Sequence, residues 1–317
     1  MKVATIGSGG ICRRHLEVLA GESDVEIVGH VTRSPEHAEE VAAHWGGRPY
    51  TDYRALLEQE RPDVVWICVP PGSHGPIEFD LIERGIPFFV EKPLDADAQT
   101  AERIAAALQG TGILAGVAYH WRAMDTLAEV RQTLAENPAR MVLGAWHDAT
   151  PPPRWWRHQA ESGGQMVEQA THLFDLARYL LGNARVLAAT ALRHDRPAYP
   201  DADVADVSAA LLQFGGDIAG VFTATCLLGG PAAIHLQLVC EGLLITIDQT
   251  GVVYDTGSER RQIPLGNDPF VAEDRAFLAA LRAGDPEPIL CTYQDALQTH
   301  RLCCAVREAA ESMQQPH

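Results

Sequence analysis

The chain has 317 residues, 46% of them hydrophobic and 21% charged, which suits a globular protein with one large or two medium domains. A net charge of −17 argues against nucleic acid or an anionic membrane surface as the main partner. No apolar segment approaches the roughly eighteen residues of a membrane span, so no membrane partner is expected.

The first third alternates strand and helix, the mark of a parallel sheet. Strands are predicted over 3–6, 26–31, 64–69, 88–90 and 113–118, with amphipathic helices between them, for example 11–20, 35–45 and 95–108. The rhythm changes near Tyr119. A helix over 124–137, a long strand over 139–149 and a Pro-rich loop, Pro151-Pro152-Pro153, precede a single helix predicted over 165–181. Strands follow over 186–192, 205–214, 218–225, 233–240 and 243–248. Their Gly-rich turns, Gly215-Gly216 and Gly229-Gly230, favour antiparallel neighbours. Two helices, 271–283 and 294–312, close the chain.

The fold expected is therefore α/β: a doubly wound Rossmann domain over 1–120, then an α+β domain over 121–317 with a mostly antiparallel sheet. The last helix is placed to pack back on the first domain. The amino terminus enters a strand at once, so no signal peptide is expected. Seven cysteines without a C-x-x-C pair point to free thiols and a cytoplasmic location. Among thirteen histidines no H-E-x-x-H or Cys/His cluster appears, so no metal is expected.

Gly7-Ser8-Gly9-Gly10-Ile11 follows the first strand and opens a helix, where a backbone without side chains can approach a pyrophosphate. The third small position of that fingerprint is Cys12. The second strand ends in Thr32-Arg33-Ser34 rather than in the acid that would accept ribose hydroxyls and repel a 2′-phosphate. Hydroxyls and a guanidinium there favour NADP, with NAD possible. Pro70 and His74, after the third strand, Glu91 and Lys92, and His120, after the last, are further candidates for the cofactor.

Glu91-Lys92-Pro93 ends the apolar run 86–90, so a strand delivers a charge pair to the crevice where open sheets bind ligands. Pro93 would fix the lysine's backbone, through a cis peptide. On the helix predicted over 165–181, Glu168, His172 and Asp175 fall at i, i+4 and i+7 along one stripe. His172 suits a general acid/base and Lys92 an alkoxide stabiliser. In the preceding loop, Trp155 and Trp156 suit either a sugar face or loop packing. Arg154 and Arg157 read as surface residues, Arg122 as structural at the domain junction, and Asp175 as either brace or reactant.

These segments, with Pro70–His74, Tyr119–Arg122 and Gly163–Asp175, resemble the glucose–fructose oxidoreductase/inositol dehydrogenase (Gfo/Idh/MocA) family over nearly the whole chain. The resemblance implies an NAD(P)-dependent dehydrogenase of sugars, inositols or related polyols, paired as homodimers or homotetramers through the open face of the second sheet. It implies that Lys92 lies near the reacting oxygen and nicotinamide and that His172 is the acid/base. Glu168 stands where many members have Asp, and Glu168-Gln169-Ala170-Thr171-His172 departs from the common Asp-x-Gly-x-His form. The longer acid is placed to bind substrate rather than to orient the histidine. Two rivals accompany this reading: an NAD-dependent glycoside hydrolase of the same family, and a dinucleotide- or sugar-sensing regulator without catalysis.

Overall fold

The computed structural model describes residues 1–314. Six strands, β1 (Lys2–Ile6), β2 (Glu26–Val31), β3 (Arg48–Tyr50), β4 (Val64–Ile67), β5 (Phe88–Val90) and β6 (Ala115–Val117), form a parallel sheet in the order β3-β2-β1-β4-β5-β6. The strand order reverses between β1 and β4, so the loops after β1, β4, β5 and β6 meet at one edge. Five helices intervene: α1 (Gly10–Ala20), α2 (Pro35–Trp45), α3 (Tyr53–Glu60), α4 (Pro76–Glu83) and α5 (Ala98–Leu108).

Local chemistry sets their starts. Ser34, Asp52 and Asp97 cap α2, α3 and α5 by accepting from His37, Arg54 and Gln99 backbone N–H groups, and Pro35 opens α2. β3 was not anticipated, and α3 and α4 were expected among the helices between strands but without bounds. β3 has three residues and carries a proline, and the eight-residue helices α3 and α4 span little more than two turns, too short for a firm periodicity.

The second region begins with α6 (Leu127–Glu136) and β7 (Met141–Ala149), followed by the short helices α7 (Gln159–Ser162) and α8 (Gln165–Glu168), then α9 (Thr171–Leu181). The helix predicted over 165–181 is thus broken at Gln169-Ala170, and Glu168 and His172 lie on different segments. Strands β8 (Ala184–Leu192), β9 (Val207–Phe214), β10 (Ile218–Leu228), β11 (Ala233–Cys240), β12 (Leu243–Asp248), β13 (Gly251–Asp255) and β14 (Arg260–Pro264) join β7 in one sheet. Its order is β14-β13-β12-β11-β7-β10-β9-β8.

The Gly215-Gly216 turn joins antiparallel neighbours as expected. The Gly229-Gly230 turn does not: β7 lies between β10 and β11, parallel to the first and antiparallel to the second. A turn signal fixes where a strand stops, not which strand slides in beside it. β13 and β14, also unanticipated, extend the far edge by hairpins.

One face of this sheet carries α9. Gly144 is required there, because a Cβ would meet the Phe222 ring at 2.3 Å, and Phe222 stacks on Phe174 of α9 at 4.6 Å. The opposite face leaves Leu187, Leu211 and Val221 exposed.

Helices α10 (Pro269–Ala283) and α11 (Tyr293–Gln314) return toward the first sheet. Phe277 and Leu278 of α10 pack with Val3, Val64, Trp66 and Phe89, while Tyr293, Ala296 and Leu297 of α11 pack with Phe88, Ala105 and Leu108. α11 also covers β8 and α9, so both closing helices reach the first sheet, not only the last. Arg122 grips Asp175 with two bonds of 2.7 Å and also pairs with Asp295, joining the turn after β6 to α9 and α11. Asp175 is a brace.

Candidate active site

The converging strand ends open into a cleft of about 970 Å³. At one end lies the turn Gly7-Ser8-Gly9-Gly10. Gly7 has φ +102°, and a Cβ there would strike Cys68 O at 2.1 Å, so the turn needs glycine to lie against β4. A Cβ on Gly9 or Gly10 would meet nothing within 4 Å, and α1 begins at Gly10 with no side-chain cap. An uncapped helix start beside open space is the cradle a pyrophosphate requires. Ile11 lines the same cleft. Cys12, buried beneath, fits without disruption and its thiol donates to Gly7 O at 3.2 Å.

Thr32, Arg33 and Ser34 line the neighbouring wall with His37 and Thr51. Thr32 Oγ1 donates to Ser34 O at 2.7 Å, and Ser34 Oγ caps α2. Arg33 is exposed. Among the described residues the only carboxylates lining the cleft are Glu91 and Glu168, neither on this strand end. Pro70 lines the cleft, but His74 does not. Its buried ring is held by Glu78 Oε1 at 2.5 Å, and Glu78 also accepts from Gly75 N–H, so His74 braces the start of α4.

Glu91, expected to meet the cofactor, borders the cleft but turns its carboxylate inward, to His15 at 3.2 Å and to the Lys92 N–H at 3.0 Å. The Lys92–Pro93 peptide is cis, as the sequence suggested. Lys92 Nζ donates to Glu168 Oε1 at 2.7 Å and to Glu168 O at 3.0 Å. Burial opposes the ammonium, but the Glu168 and Glu91 carboxylates outweigh it and hold Lys92 above its ordinary value. Trp156 donates to Glu168 Oε2 at 2.7 Å.

The two tryptophans therefore divide. Trp155 lines the cleft, whereas Trp156 is buried behind Glu168 against Val204 and Cys226 and is not a cleft residue. Arg154 and Arg157 pair with Asp201.

His172 lines the cleft, 4% exposed, within a cage of rings. Trp146 stacks on it at 5.8 Å and Trp121 at 6.5 Å, and His120 meets it edge-on at 4.7 Å. Its Nδ1 is buried without a hydrogen-bond partner, which leaves Nε2 for exchange with a ligand. Burial, then the Lys92 charge, then His120 push its pKa well below the usual range, so the ring is a neutral base at physiological pH. His120 stacks on Phe270 of α10 at 4.0 Å, and burial and Lys92 lower it to about 3. Phe270, His37 and Thr51 were not anticipated as lining residues. Phe270 arrives from a helix 150 residues away, where no motif marks it.

A Gly-rich turn at an open helix start, a lysine and a neutral histidine thus share one cleft, an arrangement that suits a dinucleotide-dependent oxidoreductase. The profile described as "Oxidoreductase family, NAD-binding Rossmann fold" matches residues 1–119, and that of the GFO/IDH/MocA C-terminal domain matches 138–244. The chain belongs to the GFO/IDH/MocA oxidoreductase family. It is 29% identical over 221 residues to an inositol 2-dehydrogenase of Rhizobium meliloti, covering 67% of this chain and 65% of that one. Its fold matches a 3-ketoreductase from Actinomadura kijaniata in complex with NADP and TDP-benzene, with TM-score 0.86, 22% identity and coverage of 98% and 97%. It also matches a dehydrogenase from Bordetella pertussis in complex with NADH and UDP-GlcNAcA, with TM-score 0.84, 20% identity and coverage of 99% and 97%. No helix among the described residues is long and apolar enough to cross a membrane.

Proposed function

We propose that the protein transfers a hydride between NADP(H) and a hydroxyl or carbonyl carbon of a sugar, inositol or related polyol. The observation that carries this reading is the meeting of Lys92, Glu168 and His172 in the cleft that begins at Gly7–Ile11. A bound nicotinamide supplies the hydride acceptor or donor. His172, neutral and open at Nε2, takes the hydroxyl proton in oxidation and returns it in reduction. Lys92 donates a hydrogen bond to the substrate oxygen and stabilises negative charge that develops there. Glu168 orients the lysine, and Trp155 offers an apolar face to a ring. Arg33 and the lack of an acid beside it support NADP over NAD, with Thr32 and Ser34 supplying hydroxyls.

The exposed apolar face of the second sheet supports pairing into a homodimer or homotetramer. Seven buried, unpaired thiols support a cytoplasmic location.

The test is thermal unfolding with saturating NADP+ or NAD+, after a check for carried-over dinucleotide, followed by a panel of inositols, glucosides and polyols read by dihydronicotinamide absorbance. Ligand at about 100 times its Kd adds roughly 2.7 kcal/mol, enough to raise the midpoint by a few degrees. Reduction of NADP+ with oxidation of at least one panel member supports the reading. In dinucleotide-free protein, no shift with either dinucleotide would point to a sugar-sensing regulator, and a shift without turnover on the panel to a dinucleotide-sensing one; tightly held NAD with glycoside cleavage and no net redox change would point to a hydrolase.

A further inference from the structure

One buried polar cluster beneath Lys92 has no part in the chemistry above. His15 of α1 is fully buried, with Nδ1 2.9 Å from both oxygens of Asp274 on α10 and Nε2 3.2 Å from Glu91 Oε1. A ring whose two nitrogens both face carboxylates carries a proton on each, so His15 is an imidazolium. Burial opposes that charge, but Asp274 and Glu91 outweigh it and hold the ring well above its ordinary value. Trp66 Nε1 donates to Asp274 Oδ1 at 3.0 Å, fixing the acid from another side. Neighbouring Glu273 is buried with both oxygens unpartnered, and burial raises its carboxyl well above the ordinary value against the pull of the His15 charge.

The other oxygen of Glu91 accepts the Lys92 backbone N–H at 3.0 Å. A continuous line of polar contacts thus runs from α10 through Asp274, His15 and Glu91 to the main chain of Lys92. Without the His15 charge, Glu91 and Asp274 would be two buried acids with no cation between them. One would have to protonate or turn away, and the contact with Lys92 would change.

We propose that His15 is a positioning residue for Lys92: by bridging Asp274 and Glu91 it holds the Glu91 carboxylate on the Lys92 backbone and ties the site lysine to helix α10. Its bearing on turnover rests on the reading of Lys92 given under Proposed function, but its test needs no substrate.

Lys2 and Lys92 are the only lysines in the sequence. In Lys2→Arg protein labelled at lysine Cε, the one lysine NMR signal reports Lys92. The expected result is a Lys92 signal displaced by more than its line width in both His15→Gln and Asp274→Asn, with each variant folded by circular dichroism. An unmoved signal in folded His15→Gln overturns the proposal, and Asp274→Asn decides in the same way should His15→Gln not fold. In the unsubstituted chain, ring-nitrogen shifts of His15 at neutral pH should be those of an imidazolium; a neutral ring also overturns it. An unmoved Lys92 signal together with lost turnover in Lys92→Ala removes this inference alone. A displaced signal with normal turnover in Lys92→Ala removes the catalytic reading instead.

Discussion

Glu168 engages Lys92 twice, through its carboxylate at 2.7 Å and its own main-chain oxygen at 3.0 Å. The second contact does not depend on the side chain, so a substitution at 168 alters the lysine's charge environment more than its place. Glu168→Gln should therefore retain a folded site but lower the Lys92 pKa, because Glu168 is the leading carboxylate that raises it. The basic limb of the kcat/KM profile should move to lower pH, with turnover reduced about tenfold or more. An unmoved basic limb would show that Lys92 does not govern it.

His172→Ala and Lys92→Ala should each lower turnover by at least about two decades, the usual effect of removing a positioned acid/base or charge, with NADP+ affinity within about twofold of the parent. The Lys92 charge also helps hold His172 down. The acid limb of residual activity in Lys92→Ala should therefore move to higher pH. Single-turnover assays separate these outcomes from slowed product release.

Acid stability follows from three histidines kept neutral in the fold mainly by burial: His120 at about 3, His300 at about 4, and His172 well below its usual range. Unfolded, each titrates near about 6.5. Their contribution is complete above that value and declines as pH falls toward the folded values, by up to about 1.4 kcal/mol per group per pH unit. His15 has the opposite sign, since its raised pKa gives stability that is complete below about 6.5 and lost only as pH rises through the folded value. Unfolding midpoints should drop steeply between about pH 6.5 and pH 4.5, and a flat response would contradict the neutral cage.

Arg33→Ala should weaken NADP+ about tenfold or more while leaving NAD+ within about twofold, since a charge-assisted contact is lost only with the 2′-phosphate. Direct titration of both dinucleotides checks this. Equal losses would assign Arg33 to the adenine instead.

On the open face of the second sheet, Leu211 and Val221 are 42% and 37% exposed. Leu211→Lys with Val221→Lys should convert an oligomer to monomer in light scattering while leaving the NADP+ thermal shift in place. A monomeric parent would remove the proposed pairing.

The first domain was legible because its signals are local: a glycine turn after β1, and a charged tripeptide after β5. That Lys92 and His172 would border one crevice was legible from similarly local signals. The second sheet was harder, because insertion of β7 between β10 and β11 is a long-range event that no turn residue encodes. The break at Gln169-Ala170 was hidden because both halves are helical and apolar on one side. Even so, Glu168 reached the lysine and His172 reached the cleft. His74 and Trp156 were misplaced for one physical reason: each sits beside the cleft in sequence but turns its ring into the interior to meet a glutamate. His15 and Asp274, 259 residues apart, carried no signal until the fold joined them.

The return of α10 and α11 has a consequence for how this molecule can be divided. Phe277 and Leu278 complete the layer over Val3, Val64, Trp66 and Phe89, and Tyr293 and Leu297 close the other side beside Phe88. The nucleotide half is thus finished by the chain's own tail, and the eight-stranded region is, in topological terms, an insertion within it. A fragment cut after residue 120 would expose to water the apolar side chains that α10 and α11 cover, Trp66, Phe88 and Phe89 among them.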